Sequence, residues 1–243
     1  MGRIMIEKTD VHGFETALRA MRNPMNSWDR SDTTSCNDCY LDNCNHCVHD
    51  VYASNVLIGA NDMKTSLALL KGGPEESKHL RMIHVAADVT MPRYWWSEMD
   101  TYKFVEKVSC STMHRLLNTD DPITEDLFLM TDGSEYSMYN ELIKTTIMHL
   151  EGLRQHTRNL QKEKPEGYAE DIRKDLVIAK RILPECYLQK RTIDTNYQEL
   201  RNIYRQRRNH RLKEEWGFFC DWIETLPYSE EFIIRGLKND TKS

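Results

Sequence analysis

One run of the chain, residues 179–216, constrains the fold more than any other, because it orders a helix, a break and a second helix. Leu183-Pro184 ends the first helical run, since proline disfavours the α conformation of the residue before it. Asn196 follows Pro184 by twelve residues and closes an Asp-Thr-Asn cluster that is typical of a helix start. The pattern predicts one last helix over about 195–225.

Four polar side chains near the start of this predicted helix are spaced to line one wall of a pocket. They are Asn196, Gln198, Asn202 and Arg207. Amide and guanidinium donors in such a wall could meet a nucleotide. The arginines of the same stretch would otherwise form a solvated helix face. They are Arg201, Arg205, Arg207, Arg208 and Arg211.

Hydrophobic spacing and turn residues divide the rest of the chain into short strands and helices. Strands are predicted over 3–8 and, as a core strand, over 79–90. Helices are predicted over 12–23, 55–71 after a short strand or turn, 94–107, 109–118, 136–160 and 167–182. Trp95, Trp96 and Tyr102 are predicted to anchor the core or an interface.

Composition is that of a globular protein, with 243 residues of which 40% are hydrophobic. The net charge of −5 disfavours polyanion binding by the molecule as a whole, so nucleic acid is a less favoured partner. The sequence contains no run of eighteen apolar residues, and its first residues lack the apolar core of a signal peptide. We therefore expect a cytoplasmic protein without a membrane partner.

A second cluster of chemistry-bearing residues lies in a polar insertion, residues 24–54. Two Cys-x2-Cys pairs there could hold one metal ion through four thiolates, with zinc favoured over an iron–sulfur cluster. The pairs are Cys36, Cys39, Cys44 and Cys47. A cysteine-rich loop without metal is the alternative. The three remaining cysteines, Cys110, Cys186 and Cys220, are predicted to be buried thiols.

Counted forward from Leu183-Pro184, the second helix resembles the C-terminal half of the flavin-dependent thymidylate synthases, the ThyX family. Asn196 and Asn202 match the family's flavin-contacting amides, and Arg207 matches its nucleotide-binding arginine. Lys180 falls where the family has a phosphate-contacting arginine, and Gln198 stands where an arginine is usual.

The resemblance extends upstream, where Gly72-Gly73-Pro74 and His79 precede a strand and an Arg-aromatic-Trp stretch. It implies an α+β fold in which long helices flank a small, mostly antiparallel sheet, in a single domain over 1–243. It also implies FAD as cofactor, held by His79, Asn196, Gln198 and Asn202. A pyrimidine nucleotide would contact Arg93, Ser109, Ser111, Arg115, Lys180 and Arg207.

The family's signature, Arg-His-Arg followed by seven residues and Ser, is absent from the sequence. At its expected place, near residue 97, the chain carries two acids, Glu98 and Asp100. In the family those cations hold the flavin and polarise the uracil, whereas acids would repel an anionic ligand. Ser109, Ser111, His114 and Arg115 lie near the family's Ser and Arg and could take over part of this role.

Three functions remain open on the sequence. The first is a ThyX-like enzyme that transfers one carbon reductively to C5 of a dUMP-type nucleotide, as a homotetramer with sites shared between subunits. The second is a noncatalytic, ThyX-derived protein that binds a nucleotide or a partner. The third is a zinc-containing nucleic-acid-binding module built from the cysteine pairs and the arginine-rich helix.

Overall fold

The computed structural model describes residues 2–35 and 56–235. Within them the strands are β1 (Met5–His12), β2 (Thr34–Ser35), β3 (Val56–Leu57), β4 (His84–Pro92), β5 (Glu106–Ser109) and β6 (Leu188–Asn196). The α-helices are α1 (Phe14–Ala20), α2 (Ala60–Lys71), α3 (Arg93–Met99), α4 (Thr112–Arg115), α5 (Ser137–Glu163), α6 (Tyr168–Ile182), α7 (Tyr197–Arg207) and α8 (Lys213–Glu224). A 3-10 turn spans Lys78–Met82 and a π-helical turn spans Glu230–Ile234.

The chain forms two compact units. The first unit contains Met1–Met5, Val89–Thr101 and Val108–Arg191. The second unit contains Ile6–Asp88, Tyr102–Lys107 and Thr192–Ser243. The four-stranded sheet has the order β1-β4-β6-β5 and is antiparallel, while β2 and β3 form a separate antiparallel pair.

The first unit is built on α5 and α6, which pack against each other. Both helices are amphipathic, and burying their apolar faces stabilises them more than intrinsic helix propensity would. The core beneath them contains Leu116, Leu117, Ile123, Phe128, Met130, Ile143, Ile147, Leu150, Ala179, Leu183 and Cys186. Leu183 ends α6 in an extended conformation before Pro184, as the sequence predicts.

The second unit packs α7 against α8, the 3-10 turn and the π-helical turn. Its core is aromatic: Phe14 makes edge contacts with Tyr197 and Tyr228 at 5.5 and 5.6 Å between ring centroids. The chain enters α1 through Gly13, whose φ is +97°. A β-carbon there would lie 2.1 Å from the carbonyl oxygen of Met82, so only glycine fits.

The predicted α+β fold, with long helices around a small antiparallel sheet, is confirmed. The two long helices predicted over 136–160 and 167–182 are α5 and α6. The predicted core strand exists as β4, although it begins at His84 because residues 78–82 form the 3-10 turn.

The prediction of one last helix over 195–225 is wrong. Strand β6 occupies 188–196, and the helical stretch is broken between α7 and α8. The amide of Leu212 donates to Nδ1 of His210 at 3.2 Å, and this local bond competes with the helical pattern.

The predicted helix over 94–107 is also wrong in its second half. Helix α3 ends at Met99, and β5 begins at Glu106, where Val105 and Val108 favour an extended chain. The helix predicted over 109–118 is reduced to the single turn α4.

Candidate functional site

A pocket of about 660 Å³ lies beside the first turns of α7, in the second unit. We call it the α7 pocket, and its volume lies in the range of small-molecule sites. Its lining residues come from the end of α2, the 3-10 turn region, residue 104 and α7. They are Leu70, Gly73, Pro74, Ser77, Arg81, Phe104, Asn196, Gln198, Glu199, Arg201, Asn202 and Arg205. Three of the four predicted flavin contacts, Asn196, Gln198 and Asn202, therefore meet on one cavity.

Asn196 is the N-cap of α7, with an extended backbone at φ −139° and ψ 164°. Its Oδ1 accepts a hydrogen bond from the backbone amide of Glu199 at 3.0 Å. That bond satisfies one of the amides that a helix leaves without an intrahelical partner. The helix-start prediction at Asn196 is confirmed, and the positive end of the α7 dipole lies at the pocket.

Gln198 is held by a buried serine. The hydroxyl of Ser77, which is 3% exposed, lies 3.1 Å from Oε1 of Gln198 and 2.9 Å from the carbonyl oxygen of Gly73. Since a hydroxyl has one proton, it donates to one of these acceptors at a time. Ser77 thereby connects the chain before the 3-10 turn to the side of α7 that lines the pocket.

Asn202 lies one turn further along α7. Its Oδ1 accepts from Nε2 of Gln206 at 2.9 Å. Glu199, which is also buried at the pocket, has a raised pKa because burial disfavours its charged form, while a hydrogen bond from Asn202 opposes this shift. The amide of Asn202 thus holds Glu199, the acidic side chain that the described part of the chain contributes to the pocket lining.

His79, the fourth predicted flavin contact, does not line the pocket. It is 4% exposed, and its Nε2 lies 2.7 Å from the hydroxyl of Ser66. Its Nδ1 has no hydrogen-bond partner within residues 2–35 and 56–235. Burial lowers the pKa of His79 to about 4, so the imidazole is neutral at pH 7.

Arg207 lies at the end of α7, among aromatic side chains. Its Nε donates to the hydroxyl of Tyr102 at 2.8 Å, and its guanidinium lies 4.6 Å from the ring centroid of Trp216. Tyr102 is 6% exposed and Trp216 is fully buried. Arg207 is therefore placed on the same helix as the pocket amides but is not part of the pocket lining.

Among the predicted nucleotide contacts, Lys180 and Arg93 lie close together in the first unit. Burial lowers the pKa of Lys180, and the charge of Arg93 lowers it further. The ammonium of Lys180 donates to the hydroxyl of Thr112 at 2.5 Å. Arg93 donates to the carbonyl oxygen of Leu183 at 3.1 Å and pairs with Glu185 at 3.3 Å.

The other predicted nucleotide contacts in the first unit lie near α4. Ser109 ends β5, and Ser111 precedes α4. Arg115 lines a second cavity, of about 580 Å³, together with Cys110. Cys110 is exposed, so its prediction as a buried thiol is wrong, whereas Cys186 and Cys220 are buried as predicted.

Near residue 97, where the resemblance predicted the Arg-His-Arg signature, side chains bind one another. Asp100 accepts two hydrogen bonds from Arg191, at 3.0 and 3.2 Å. The guanidinium of Arg191 lies 4.4 Å from the ring centroid of Trp96. Trp95 and Trp96 are fully buried, which confirms their prediction as core anchors. We call Trp96, Asp100 and Arg191 the signature-position cluster.

The predicted arginine stripe is not simply a solvated helix face. Arg201 donates to the carbonyl oxygens of Ile233 and Arg235, at 2.7 and 3.0 Å. Arg208 pairs with Asp221 and Glu224 on α8. Arg201 and Arg208 therefore contact other elements of the fold, while Arg205 and Arg211 are exposed.

The predicted metal ligands Cys36, Cys39, Cys44 and Cys47 lie outside the described residues. Within the described ranges no group of three or more His, Cys, Asp or Glu side chains is arranged to hold a metal ion. In the same part of the chain, no helix is both long enough and apolar enough to cross a membrane.

The sequence did not predict five polar residues of the pocket lining: Ser77, Arg81, Glu199, Arg201 and Arg205, of which the last two were interpreted as part of a solvated helix face. Ser77 and Arg81 each lie two residues from His79, and Glu199 follows Asn196 by three. The N-cap spacing could have indicated Glu199, because the third residue after a cap faces the helix start. No comparable signal in the sequence indicates Arg81.

The fold is similar to that of several solved thymidylate synthases. ThyX from Helicobacter pylori, in a complex with FAD and dUMP, has a TM-score of 0.60 at 15% identity, over 96% of this chain and 98% of that one. A second structure of Helicobacter pylori ThyX with FAD and dUMP gives 0.59 at 14% identity, over 98% and 100%. The UMP/dUMP methylase PolB from Streptomyces cacaoi, bound to 5-Br UMP, gives 0.52 at 11% identity, over 98% and 97%.

No protein-family model matches the chain, and no curated protein matches it. At these identities the three structures show a shared fold.

Proposed function

We propose that the protein is a ThyX-like, flavin-dependent enzyme that acts on a dUMP-type pyrimidine nucleotide by reductive one-carbon transfer to C5. The observation that carries the proposal is the α7 pocket, where Asn196, Gln198 and Asn202 meet on one cavity. The resemblance assigns these positions to the flavin, and structures with the same fold hold FAD and dUMP.

The residues of the α7 pocket fit a flavin nucleotide. A flavin nucleotide presents carbonyl, ring-nitrogen, hydroxyl and phosphate groups, which need donors and acceptors together with an apolar wall. The pocket offers amides from α7, guanidinium groups, and apolar surface from Leu70, Pro74 and Phe104. When bound, a reduced flavin supplies the hydride, and the protein supplies binding and orientation.

The nucleotide phosphate is assigned to Lys180 and Arg93. The ammonium of Lys180 is partly buried beside the charge of Arg93, so an anion that binds next to it gains free energy by relieving both costs. The lowered pKa of Lys180 is consistent with this, because an added phosphate would favour the charged ammonium. Ser109, Ser111 and Arg115 complete the proposed nucleotide contacts of the first unit. Arg207, in the second unit, is proposed as a nucleotide contact from the resemblance alone.

His79 is assigned an indirect role at the flavin edge. Its neutral imidazole is fixed by Ser66 and leaves the buried Nδ1 without a partner among the described residues. A buried acceptor or donor of this kind is costly unless a ligand or water satisfies it. We propose that a water ordered by the bound flavin supplies that partner.

Further parts of the proposal follow from the resemblance alone. They are a single ThyX-like domain over 1–243 and a homotetramer whose subunits share sites. A cytoplasmic location is proposed from the sequence. Zinc held by Cys36, Cys39, Cys44 and Cys47 remains a prediction from their spacing.

A second candidate function, a noncatalytic protein with a ThyX fold, is favoured by the signature-position cluster. Asp100 and Arg191 neutralise each other where the family's enzymes carry cations. Such a protein would retain a nucleotide-binding pocket without the groups that polarise the uracil.

The first experiment is an absorption spectrum of the purified protein, followed by titration with FAD and then with dUMP. The enzyme proposal expects a bound-flavin spectrum or FAD uptake, and dUMP-dependent oxidation of the reduced flavin when a one-carbon donor is present. FAD binding without this turnover favours the noncatalytic candidate. If neither a bound flavin nor uptake is observed, the enzyme proposal is wrong.

Two variants connect that titration to named residues. Asn202→Ala should weaken FAD binding, whereas Asn159→Ala, at an exposed position of α5, should leave it unchanged. Arg207→Ala should weaken dUMP binding by about 2 kcal/mol if Arg207 contacts the phosphate. An unchanged dUMP affinity would remove Arg207 from the nucleotide site.

A further inference from the structure

The α7 pocket carries an excess of positive charge. Among residues 2–35 and 56–235, its lining contains three guanidinium groups, Arg81, Arg201 and Arg205, and one carboxyl group, Glu199. Burial raises the pKa of Glu199, so this carboxyl offsets the cations less than an exposed one would. The pocket is therefore chemically suited to an anion.

The three arginines differ in what they contact. Arg201 is committed to the fold, because it donates to the carbonyl oxygens of Ile233 and Arg235. Arg81 and Arg205 are both exposed, and neither forms an ion pair within residues 2–35 and 56–235. Arg205 has one long hydrogen bond, of 3.4 Å, to Oδ1 of Asn202. These two guanidinium groups are thus available to a ligand.

Their position adds to their charge. Arg81 belongs to the 3-10 turn, and Arg205 lies on α7, so the two reach the pocket from different elements. The N-terminus of α7 also opens at this pocket, through Asn196, and its dipole favours negative charge. Two guanidinium groups and a helix N-terminus on one cavity supply the kind of donors that bind a phosphate or a diphosphate.

We propose that Arg81 and Arg205 bind the diphosphate of the dinucleotide cofactor, in place of the Arg-His-Arg cations that this chain lacks. The inference rests on the proposed function for the identity of the cofactor. Neither Arg81 nor Arg205 stands at a position that the family resemblance assigns to the cofactor.

The test compares three ligands that divide the cofactor chemically: FAD, riboflavin, which carries no phosphate, and ADP, which carries the diphosphate without the flavin. Dissociation constants are measured by calorimetry on the full chain at low and high salt. The variants are Arg81→Gln, Arg205→Gln and the double variant. The control is Arg19→Gln, which removes an exposed arginine of α1 in the same unit.

We expect each single substitution to weaken FAD and ADP binding about tenfold or more, since hydrogen bonds between charged groups are stronger than neutral ones. Riboflavin affinity should stay within about twofold, and Arg19→Gln should change nothing. High salt should weaken FAD binding to the wild-type protein more than to the double variant, because a screened charge contributes less.

Each outcome decides between the inference and the function it rests on. If the wild-type protein binds FAD and the double variant binds it equally well, the diphosphate assignment is overturned while the flavin function stands. If FAD fails to bind but ADP binds through Arg81 and Arg205, the diphosphate site stands and the flavin function falls. If neither ligand binds, both are overturned.

Discussion

The α7 pocket and the signature-position cluster differ in whether their charged side chains are ion-paired. At the cluster, Asp100 and Arg191 bind each other over the ring of Trp96. At the pocket, Arg81 and Arg205 face a cavity without an ion-pair partner among the described residues. Paired charges contribute to folding, whereas charges held open at a cavity contribute to binding. Substitution of a paired charge should therefore lower the free energy of unfolding, whereas substitution of an unpaired pocket charge should lower ligand affinity.

The largest effect on folding is expected at Asp62, a fully buried carboxylate that represents the paired kind. It accepts hydrogen bonds from both Nε and Nη2 of Arg22, at 2.9 and 2.6 Å, and from the hydroxyls of Ser31 and Thr33. Burial raises the pKa of Asp62, but these bonds outweigh burial and lower it overall.

Asp62→Ala should lower the free energy of unfolding by about 3–5 kcal/mol, because it leaves the buried charge of Arg22 without its partner. Urea denaturation measures the change. Asp29→Ala, which removes an exposed acid, should stay within about 0.5 kcal/mol. If Asp62→Ala lowers the free energy of unfolding only slightly, buried ion pairs do not stabilise this fold more than exposed charges do.

The next effect is a pH dependence at His79, which resemblance assigns to the flavin but which is buried. Above about pH 6.5 both the folded and the unfolded chain hold this imidazole neutral. Between that pH and about 4, its folded pKa, only the unfolded chain gains the proton, so stability falls as the pH falls. The loss should reach about 3 kcal/mol and then level off.

The measurement is the unfolding free energy at several pH values, for the wild type and for His79→Gln. The variant should lack this part of the pH dependence, while His149→Gln, at an exposed position of α5, should retain it. Equal slopes in the wild type and His79→Gln would mean that His79 is already charged, or accessible, in the folded protein.

A smaller effect on stability is expected at Arg207. This residue lies on α7, but its guanidinium contacts Tyr102 and Trp216 instead of lining the pocket. Arg207→Ala should lower the unfolding free energy by about 1–2 kcal/mol, through the lost bond to Tyr102 and the lost contact with Trp216. Tyr102→Phe, which keeps the ring, should cost less. If Arg207→Ala weakens nucleotide binding without affecting stability, Arg207 belongs with the open charges instead.

The coupling between Asp100 and Arg191 should be smaller still, because the side chain of Asp100 is 48% exposed. A double-mutant cycle with Asp100→Asn and Arg191→Gln should give about 0.5–1 kcal/mol. A coupling near zero would mean that the cluster is held by the stacking of Arg191 on Trp96 rather than by its charges.

The smallest effect on folding is expected at the pocket itself. Arg81→Gln and Arg205→Gln should each change the unfolding free energy by less than about 0.5 kcal/mol, because neither side chain is buried or ion-paired within the described residues. Thermal denaturation of the apoprotein measures this. A loss comparable to that at Arg207 would remove the contrast between the two regions.

The sequence predicted those elements in which hydrophobic residues recur at a regular, sustained spacing. The long helices α5 and α6 carry a sustained helical spacing, and Leu183-Pro184 ends the second of them for a steric reason. Strand β6 was missed because its Lys, Arg, Gln and Thr side chains resemble an exposed segment. Its strand character depends on its pairing within the sheet, which the sequence does not display.

The site was predictable where its residues follow one another along a single helix. Asn196, Gln198 and Asn202 belong to one N-cap and two helical turns, so helical spacing alone brings them together. Arg81 and Ser77 reach the same cavity from 115 or more positions away in the chain, as in the pair Ser77–Gln198, which are 121 apart. Long-range packing, rather than any local pattern, determines that part of the pocket.

Asn196 has two roles: its Oδ1 caps α7, and the residue also lines the α7 pocket. In a library of variants selected only for soluble expression, Asn, Asp, Ser and Thr should all survive at this position, because each can cap a helix. Selection for retention on an immobilised anionic ligand should remove Asp, whose charge opposes the ligand, from the same library. The residue frequencies at position 196 after each selection would therefore separate the requirement for folding from the requirement for binding.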